Sequence, residues 1–387
     1  MKKILVTIFA LMLGFTLVAC GETNPEDVKV GLIVSAAGAN DNGYNQFAID
    51  GLNQAATEFG VQTQVVNTAE DVPGSLETLA EDGFDLIFTL EYNFAALVTD
   101  DGSGQSLAEK YPDTTFVTFN AFANTDESGA TIHENVVEVL FNVNEGSFLA
   151  GALAALVIEN HEVLFDSTEY SFTALDQGGR AVGFLGGVQS AGITVFGYGF
   201  AQGVEYIADE LDVQYDLYEN YSVGFGASQD NYNTIDSYYD NGVNVVFAAA
   251  GGVATNMRNA ASDNGKLAID VDANQDAQVP GSVLTSVLKN TDIAVYDLVE
   301  KFLDEAVEIG GETYFYDLNS GATGITDLAT IEGYIQDTTE ALAKWIEIKD
   351  KIADIQDDIS DGTIDVVDAQ AGEELDYNTL DHVTKAN

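Results

Sequence analysis

The sequence is poor in cysteine, histidine, proline and basic residues, and each shortage argues against a type of structure or partner. Its 387 residues include one Cys, three His, four Pro and 13 Lys and Arg against 64 Asp and Glu. A single Cys excludes an intramolecular disulfide, and so few Cys and His exclude a zinc cluster. Four Pro argue against long Pro-rich linkers. The formal net charge of -51 repels phosphate backbones and therefore argues against a nucleic-acid partner.

The length and the apolar content favour two folded α/β domains. At ~150 residues per domain, the chain is too long for one compact core. Hydrophobic residues make up 46% of it, which excludes a mainly disordered chain. We interpret the acidity as a solvated surface suited to saline surroundings or to solubility, and not as a site.

The N-terminus is typical of an export signal. Two lysines precede an apolar run over residues 4–18, which is shorter than the ~20 residues that a membrane-spanning helix needs. The sequence allows a plain secretory peptide or an anchor helix, but Leu17-Val18-Ala19 before Cys20 resembles a bacterial lipobox, in which the cysteine thiol is acylated. We therefore predict a signal peptide over residues 1–19, a lipid attached to Cys20 and a tether over 20–27. Such a protein is expected on the extracytoplasmic face of the cell membrane.

Strands and helices alternate twice along the rest of the chain. An apolar run at residues 28–35 predicts a buried strand, and helical spacing at 45–60 predicts a helix after it. This alternation of strands and helices repeats along the chain, and a second cycle of it begins at Gly146. We predict two doubly wound α/β lobes with a ligand cleft between them. The expected division is 28–141 plus 271–308 for lobe 1 and 142–270 plus 309–387 for lobe 2.

Two helices of the second cycle are predicted in more detail. Residues 199–211 have the spacing of an amphipathic helix. Residues 338–359 form a long charged helix that carries Trp345, the only Trp of the chain. We interpret Trp345 as core packing and not as a platform for a ligand.

Segments that follow strands are the candidate sites, because open α/β sheets bind ligands beyond the carboxyl ends of their strands. Asp41, Tyr44 and Asn45 lie in a Gly/Asn/Asp loop and at the helix entrance after it, a pattern that taken alone favours a turn with a helix cap. Gly251 begins a Gly-Gly turn whose amides a ligand can approach. Lys289 ends an apolar strand, where it either donates into a cleft or faces solvent.

No motif in the sequence predicts a metal site or a catalytic centre. Residues 270–276 alternate acids and Asn like the start of an EF-hand, but Gln275 stands where Gly is needed and Gly281 where a bidentate Glu belongs. No nucleophile elbow, Walker loop, kinase motif or His-metal motif is present. We predict no cofactor and no enzymatic activity.

Seven short blocks, taken together, resemble the basic-membrane-protein family of ABC-transporter substrate-binding lipoproteins, which includes the purine nucleoside receptors. Two of them are Asn40-Asp-Asn-Gly-Tyr-Asn-Gln46 and Glu145-Gly-Ser-Phe-Leu-Ala-Gly151. The blocks occur in the family's order across the mature chain, at residues 31–34, 40–46, 141–151, 182–200, 245–252, 271–275 and 284–290. The resemblance implies a type I periplasmic-binding-protein fold, a monomer and a permease partner.

The resemblance also implies a nucleoside site. Tyr44 and Phe225 fall where the family stacks two aromatic rings on the base. Asp272 would accept both ribose hydroxyls, and Lys289 would donate to the ribose and balance that carboxylate's charge.

The remaining implied contacts concern the edge of the base and the end of the sugar. Asp41 and Asn45 would meet the base edge, and the Gly251 amide would meet the sugar. Asn120 ends the predicted strand at 115–119, where the purine receptors carry Asp. A carboxamide both donates and accepts, whereas a carboxylate only accepts. We therefore expect looser base selection than in a guanosine- or inosine-selective receptor.

The leading hypothesis is a lipid-anchored receptor that captures nucleosides by lobe closure and passes them to an ABC permease. The same fold binding a sugar or another small solute is one alternative. A sensor or adhesin that presents a ligand-bound lobe to a partner is another.

Overall fold

The computed structural model describes the chain from residue 24 to residue 386, apart from several short stretches. The described residues are 24–35, 38–41, 43–67, 72–90, 98–99, 104–120, 122–126, 128–304 and 306–386. The predicted signal peptide and the acylation of Cys20 lie outside them. Within these ranges, no helix combines the length and the apolarity that crossing a bilayer requires.

The first lobe is built on a six-stranded parallel sheet in the order β11-β5-β4-β3-β1-β2. Its strands and the helices between them are β1 (Lys29–Ile33), α1 (Tyr44–Phe59), β2 (Gln62–Val66), α2 (Val72–Glu81), β3 (Leu86–Thr89), α3 (Leu107–Lys110), β4 (Thr115–Phe119), β5 (Val136–Phe141) and β11 (Thr313–Tyr316). A further helix, α9 (Thr291–Leu303), packs on α1, where the rings of Phe59 and Tyr296 lie 5.3 Å apart.

The second lobe is built on a seven-stranded sheet in the order β12-β10-β9-β8-β6-β7-β13, in which β12 runs antiparallel to β10 and the other pairs are parallel. Its elements are α4 (Val143–Glu159), α5 (His161–Leu164), β6 (Ala181–Gly186), α6 (Ala191–Leu211), β7 (Tyr215–Asn220), α7 (Gln229–Asp240), β8 (Val245–Ala249), α8 (Val253–Asn264), β9 (Leu267–Asp272), β10 (Val283–Lys289), β12 (Thr323–Ile325), α10 (Ala329–Glu332), α11 (Thr339–Ser360) and β13 (Val383–Lys385). Short 3-10 helices occupy Pro25–Asp27, Leu175–Gln177, Ala369–Ala371 and Tyr377–Thr379.

Two α/β lobes on mainly parallel sheets confirm the predicted fold class. The chain passes between the lobes three times: after β5, after β10, and between β11 and β12. These passages differ from the predicted division at residues 271 and 309. β10 pairs with β9 in the second sheet, with Val287 opposite Val271, and β11 joins the edge of the first sheet by pairing with β5.

Most predicted elements lie where the sequence pattern placed them. β4 has the predicted bounds, and α1 ends at Gly60, whose φ of 83° closes the helix in the left-handed conformation. Trp345 is only 1% exposed, which confirms its predicted place in the core. α6, however, begins eight residues before the predicted start at 199.

Glycines allow the helices α4 and α6 to pack unusually closely in the second lobe. A Cβ on Gly203 of α6 would overlap the carbonyl oxygen of Phe148 in α4, and one on Gly199 would overlap that of Asn144. A Cβ on Gly151 of α4 would overlap the carbonyl oxygen of Phe200 in α6 in the same way. The backbones therefore touch directly, and this contact supports the sheet that carries half of the cleft described below.

We predict that Gly203→Ala lowers the free energy of unfolding by about 1–3 kcal/mol or more, because an added methyl group forces the two helix backbones apart. Chemical denaturation measures the change. Gly192→Ala is the matched control on the same helix, since nothing lies within 4 Å of its Cβ position. Equal stability of the two variants would contradict the close approach.

Candidate ligand-binding site

A cleft of about 740 Å3 lies between the carboxyl ends of strands from both sheets. The first lobe contributes segments after β1, β3 and β4, and the second lobe contributes segments after β8, β9 and β10. This is the location expected for a ligand site in open α/β sheets. Seven of the eight predicted ligand residues line it: Asp41, Tyr44, Asn120, Phe225, Gly251, Asp272 and Lys289.

Lys289 joins the two lobes through a hydrogen-bond chain. It ends β10 in the second lobe and is 7% exposed, and its Nζ donates to Oδ1 of Asn120 in the first lobe at 2.6 Å. Asn120 Nδ2 donates in turn to the Tyr44 hydroxyl at 2.7 Å, and this hydroxyl donates to the carbonyl of Leu90 at 2.8 Å. The chain fixes an ammonium, a carboxamide and a phenol at one end of the cleft.

The Lys289 ammonium also lies near two aromatic rings. Its Nζ is 5.2 Å from the ring centroid of Tyr44 and 5.3 Å from that of Phe141. Such cation–π contacts compensate in part for the loss of water around a buried charge. Burial nevertheless lowers the pKa of Lys289 to about 8, against the opposing effect of the Asp272 carboxylate.

Asp272 presents a carboxylate that the protein leaves unused. It ends β9 with a φ of 69°, a left-handed conformation that is uncommon outside glycine. Among the described residues, no group donates a hydrogen bond to its side chain, and no direct ion pair joins it to Lys289. Burial, opposed by Lys289 and assisted by the charges of Asp41 and Asp270, raises the pKa of Asp272 to about 6. Its acceptors are therefore free for a ligand.

Two aromatic rings line the cleft from different lobes. Tyr44 begins α1 in the first lobe, with its hydroxyl fixed by Asn120 and Leu90. Phe225 lies in the loop after β7 in the second lobe and is 49% exposed. Its carbonyl accepts the amide of Gly252 at 2.9 Å, next to Gly251. A large exposed aromatic ring at a cleft is typical of a binding surface.

Asp41 and Asn45 hold the start of α1. The Asp41 carboxylate accepts the backbone N–H groups of Gly43, Asn45 and Gln46 at 3.1, 2.9 and 3.0 Å. Asn45 does not line the cleft: it is 0% exposed, and both of its amide hydrogens are donated, to Ser35 Oγ and the Gly38 carbonyl. The structure thus places Asn45 behind the site, where it supports Tyr44, and not at the edge of a ligand.

Sequence reasoning missed Arg258, which lines the cleft from α8. Its guanidinium pairs with the buried Asp270 and donates to Thr255 Oγ1 at 3.1 Å. The available signal was its position on the helix that follows the Gly251-Gly252 turn, six residues after Gly252, because such a helix starts at the cleft. Phe196 of α6 was also missed, since the sequence pattern did not extend α6 back to it.

Two of the three acids at 270–276, Asp270 and Asp276, have partners within the protein. Asp270 pairs with Arg258, and Asp276 accepts the hydroxyls of Ser286 and Thr326 at 2.7 and 2.6 Å. In the part of the chain that the structure describes, no group of three or more acidic, His or Cys side chains is arranged to hold a metal ion.

The fold and the cleft define a two-lobed solute-binding protein of the periplasmic-binding-protein type. Residues 28–358 match the family described as ABC transporter substrate-binding protein PnrA-like, or Bmp. The chain belongs to this family, and it is therefore an ABC-transporter substrate-binding protein, a class that binds small ligands and works with permease subunits.

Individual relatives agree with this assignment. An uncharacterized lipoprotein of Pyrococcus abyssi is 26% identical over 329 residues, which cover 83% of this chain and 74% of the relative. The "ABC transporter nucleoside-binding protein BmpA" of Lactococcus lactis is 24% identical over 400 residues, covering 95% and 99%. The fold is shared with a solved ABC-transporter solute-binding protein of Aeropyrum pernix, at 21% identity, a TM-score of 0.67 and coverage of 92% and 95%.

We predict that Asp272→Asn raises the thermal stability of the ligand-free protein at pH 7.5 and leaves it nearly unchanged at about pH 4. The folded-state pKa of Asp272, about 6, lies above its ordinary value of 3.8. Wild-type stability therefore falls as the pH rises from the ordinary pKa to the folded one, and an uncharged amide removes this loss.

Thermal unfolding of both proteins across this pH range measures the difference. Asp240→Asn, on the exposed end of α7, controls for the removal of one negative charge from an acidic chain. A lower stability of Asp272→Asn at pH 7.5 would show that the carboxylate supports the fold and is not held free for a ligand.

Proposed function

We propose that this protein binds nucleosides at the outer face of the cell membrane and delivers them to an ABC permease. One observation carries the proposal: a single cleft combines an aromatic ring from each lobe with an unused carboxylate and a buried ammonium. A nucleoside has a matching composition, with a flat base at one end and a hydroxyl-rich sugar at the other. The name of the Lactococcus lactis relative supports the same ligand class.

Tyr44 and Phe225 are proposed to stack on the two faces of the base. Stacking of a nucleobase on an aromatic side chain contributes about 1–3 kcal/mol per base and tolerates different bases. The Tyr44 ring needs little reorganisation, because its hydroxyl is already held by Asn120 and Leu90. The exposed Phe225 ring loses water when a base covers it.

Asp272 and Lys289 are proposed to bind the sugar. A carboxylate has two oxygens and accepts from two neighbouring hydroxyls, as the 2′ and 3′ positions of ribose present them. Lys289 donates to a sugar oxygen and supplies the positive charge that keeps Asp272 ionised. A site of this kind rejects sugars that lack a hydroxyl, because its buried groups then lose a partner.

Asn120 is proposed to make base selection permissive. Its carbonyl oxygen accepts from Lys289 and one amide hydrogen goes to Tyr44. These contacts leave an uncharged amide near the base, which carries a donor and an acceptor instead of a carboxylate's acceptors alone. We expect purine nucleosides with either amino or carbonyl groups to bind.

Attachment through an acylated Cys20 is proposed to hold the protein beside its permease. Relatives such as the Pyrococcus abyssi protein are named lipoproteins. Eight residues, 21–28, separate Cys20 from β1, and they are mostly polar, which suits a short tether.

Titration calorimetry of the chain lacking residues 1–20 with adenosine, guanosine, inosine, uridine and cytidine tests the function. We expect binding of purine nucleosides, with Asp272→Asn weakening it about 10- to 100-fold, since hydrogen bonds to a charged group contribute about 1.5–3 kcal/mol. Asp240→Asn is the charge-matched control and is expected to bind like the wild type.

Three further ligands sharpen the test. A 2′-deoxynucleoside is expected to bind more weakly because Asp272 loses one donor. A nucleoside 5′-phosphate is expected to be rejected, since three carboxylates line the cleft against Arg258 and Lys289. Heat from glucose or ribose alone, with none from any nucleoside, would contradict the proposal and favour a sugar receptor.

Nucleoside affinity is expected to be greatest between about pH 6 and pH 8. Below about 6 Asp272 takes up a proton and loses acceptors, and above about 8 Lys289 loses its charge. On either side of this range, the affinity is expected to fall by up to tenfold per pH unit. Calorimetry across the range measures the profile, and the acid limb should vanish in Asp272→Asn. An unchanged affinity across pH 5 to 9 would contradict these roles.

A further inference from the structure

The Phe225 ring rests on a residue that has no side chain. Gly187 follows β6, and a Cβ built on it would lie 2.6 Å from Phe225 Cζ and 2.7 Å from Cδ1. These distances are far inside van der Waals contact, so the ring edge occupies the space that any other residue would fill. Phe225 is still 49% exposed, and it lines the cleft.

The backbone around Gly187 is fixed on both sides. Its amide donates to the carbonyl of Ala249 in β8 at 3.2 Å, and its carbonyl accepts the amide of Gly224 at 2.9 Å. The second contact ties the residue before Phe225 to the end of β6. The backbone against which the Phe225 ring packs is therefore fixed to the seven-stranded sheet and is not part of a free loop.

Asn231 holds the loop from its other side. It is 8% exposed at the start of α7, and its Nδ2 donates to the carbonyls of Val223 and Gly226, each at 3.0 Å. These carbonyls lie on either side of Phe225 in the sequence. With Gly252 bonded to the Phe225 carbonyl itself, four consecutive residues of the loop are each anchored.

We propose that Gly187 and Asn231 are positioning residues that determine how Phe225 presents its ring to a base. The inference rests on the proposed nucleoside function and deepens it: selection of two-ring over one-ring bases depends on a glycine that the ligand need not touch. A Phe225 ring displaced from Gly187 overlaps less of a two-ring base and stacks on it more weakly. A one-ring base has less overlap to begin with, so its stacking weakens less.

Gly187→Ala is expected to weaken binding of a purine nucleoside about tenfold or more, and binding of a pyrimidine nucleoside less, as loss of stacking predicts. Calorimetry with inosine and uridine measures both. Gly333→Ala is the matched control, an exposed glycine of the same lobe that does not line the cleft; its φ is -65°, and the only atom within 4 Å of its Cβ position is the Thr330 carbonyl oxygen at 3.4 Å. It should bind like the wild type.

A double-mutant cycle separates positioning from general damage. If Gly187 acts through Phe225, then Gly187→Ala costs little further affinity in a Phe225→Leu background, and the two effects are not additive. Additive losses, equal losses for inosine and uridine, or wild-type affinity of Gly187→Ala would each overturn the inference.

Two more measurements cover the remaining cases. Should Gly187→Ala not fold, Asn231→Ala provides the same test, because it releases the loop without adding an atom beside the ring. Should the wild type bind no nucleoside, the proposed function fails, and a crystal structure of Gly187→Ala decides the positioning separately. A displaced Phe225 ring supports it, and an unmoved ring overturns it.

Discussion

The hydrogen bond between the Lys289 ammonium and the Asn120 carboxamide is the interaction on which the cleft depends. The Lys289 ammonium is almost fully buried and has no direct carboxylate partner. Burying a charge in this way costs free energy unless other groups compensate. The rings of Tyr44 and Phe141 and the nearby Asp272 provide this compensation. Lys289 donates to Asn120 and, among the described residues, makes no direct ion pair with Asp272, so the Asp272 carboxylate remains available to accept hydrogen bonds from outside the protein.

Two residues at this edge adopt a left-handed backbone conformation, and they belong to different lobes. Asn120 has a φ of 62° after β4, and Asp272 has a φ of 69° at the end of β9. Residues held in this region are found where the surrounding structure dictates a side chain's direction, which is often at a functional site. Here the turn sends a carboxamide and a carboxylate toward the cleft instead of along their strands.

The sequence pattern predicts strands well where apolar runs are continuous and bounded by turns, as at β1 and β4. β5 carries Glu138 within its apolar run, and the structure buries this carboxylate and satisfies it with the Asn124 backbone N–H and the Thr313 hydroxyl. Asp41, Tyr44 and Lys289 could be placed at the site because strand ends converge there, and Asp272 through the family resemblance. The position of Asn45 could not, since the partners that bury it depend on how the loop folds back on Ser35.

The three passages of the chain between the lobes constrain how they can separate. A single linker leaves many relative orientations of two lobes open, whereas three linkers between the same lobes restrict them, because all three must span the gap at once. Sliding or twisting would stretch at least one passage. When a two-lobed protein closes on a ligand, the segments that join the lobes act as the hinge. Lys289 is the last residue of β10 and immediately precedes one of these passages, so the contact between Lys289 and Asn120 belongs to the hinge side of the cleft.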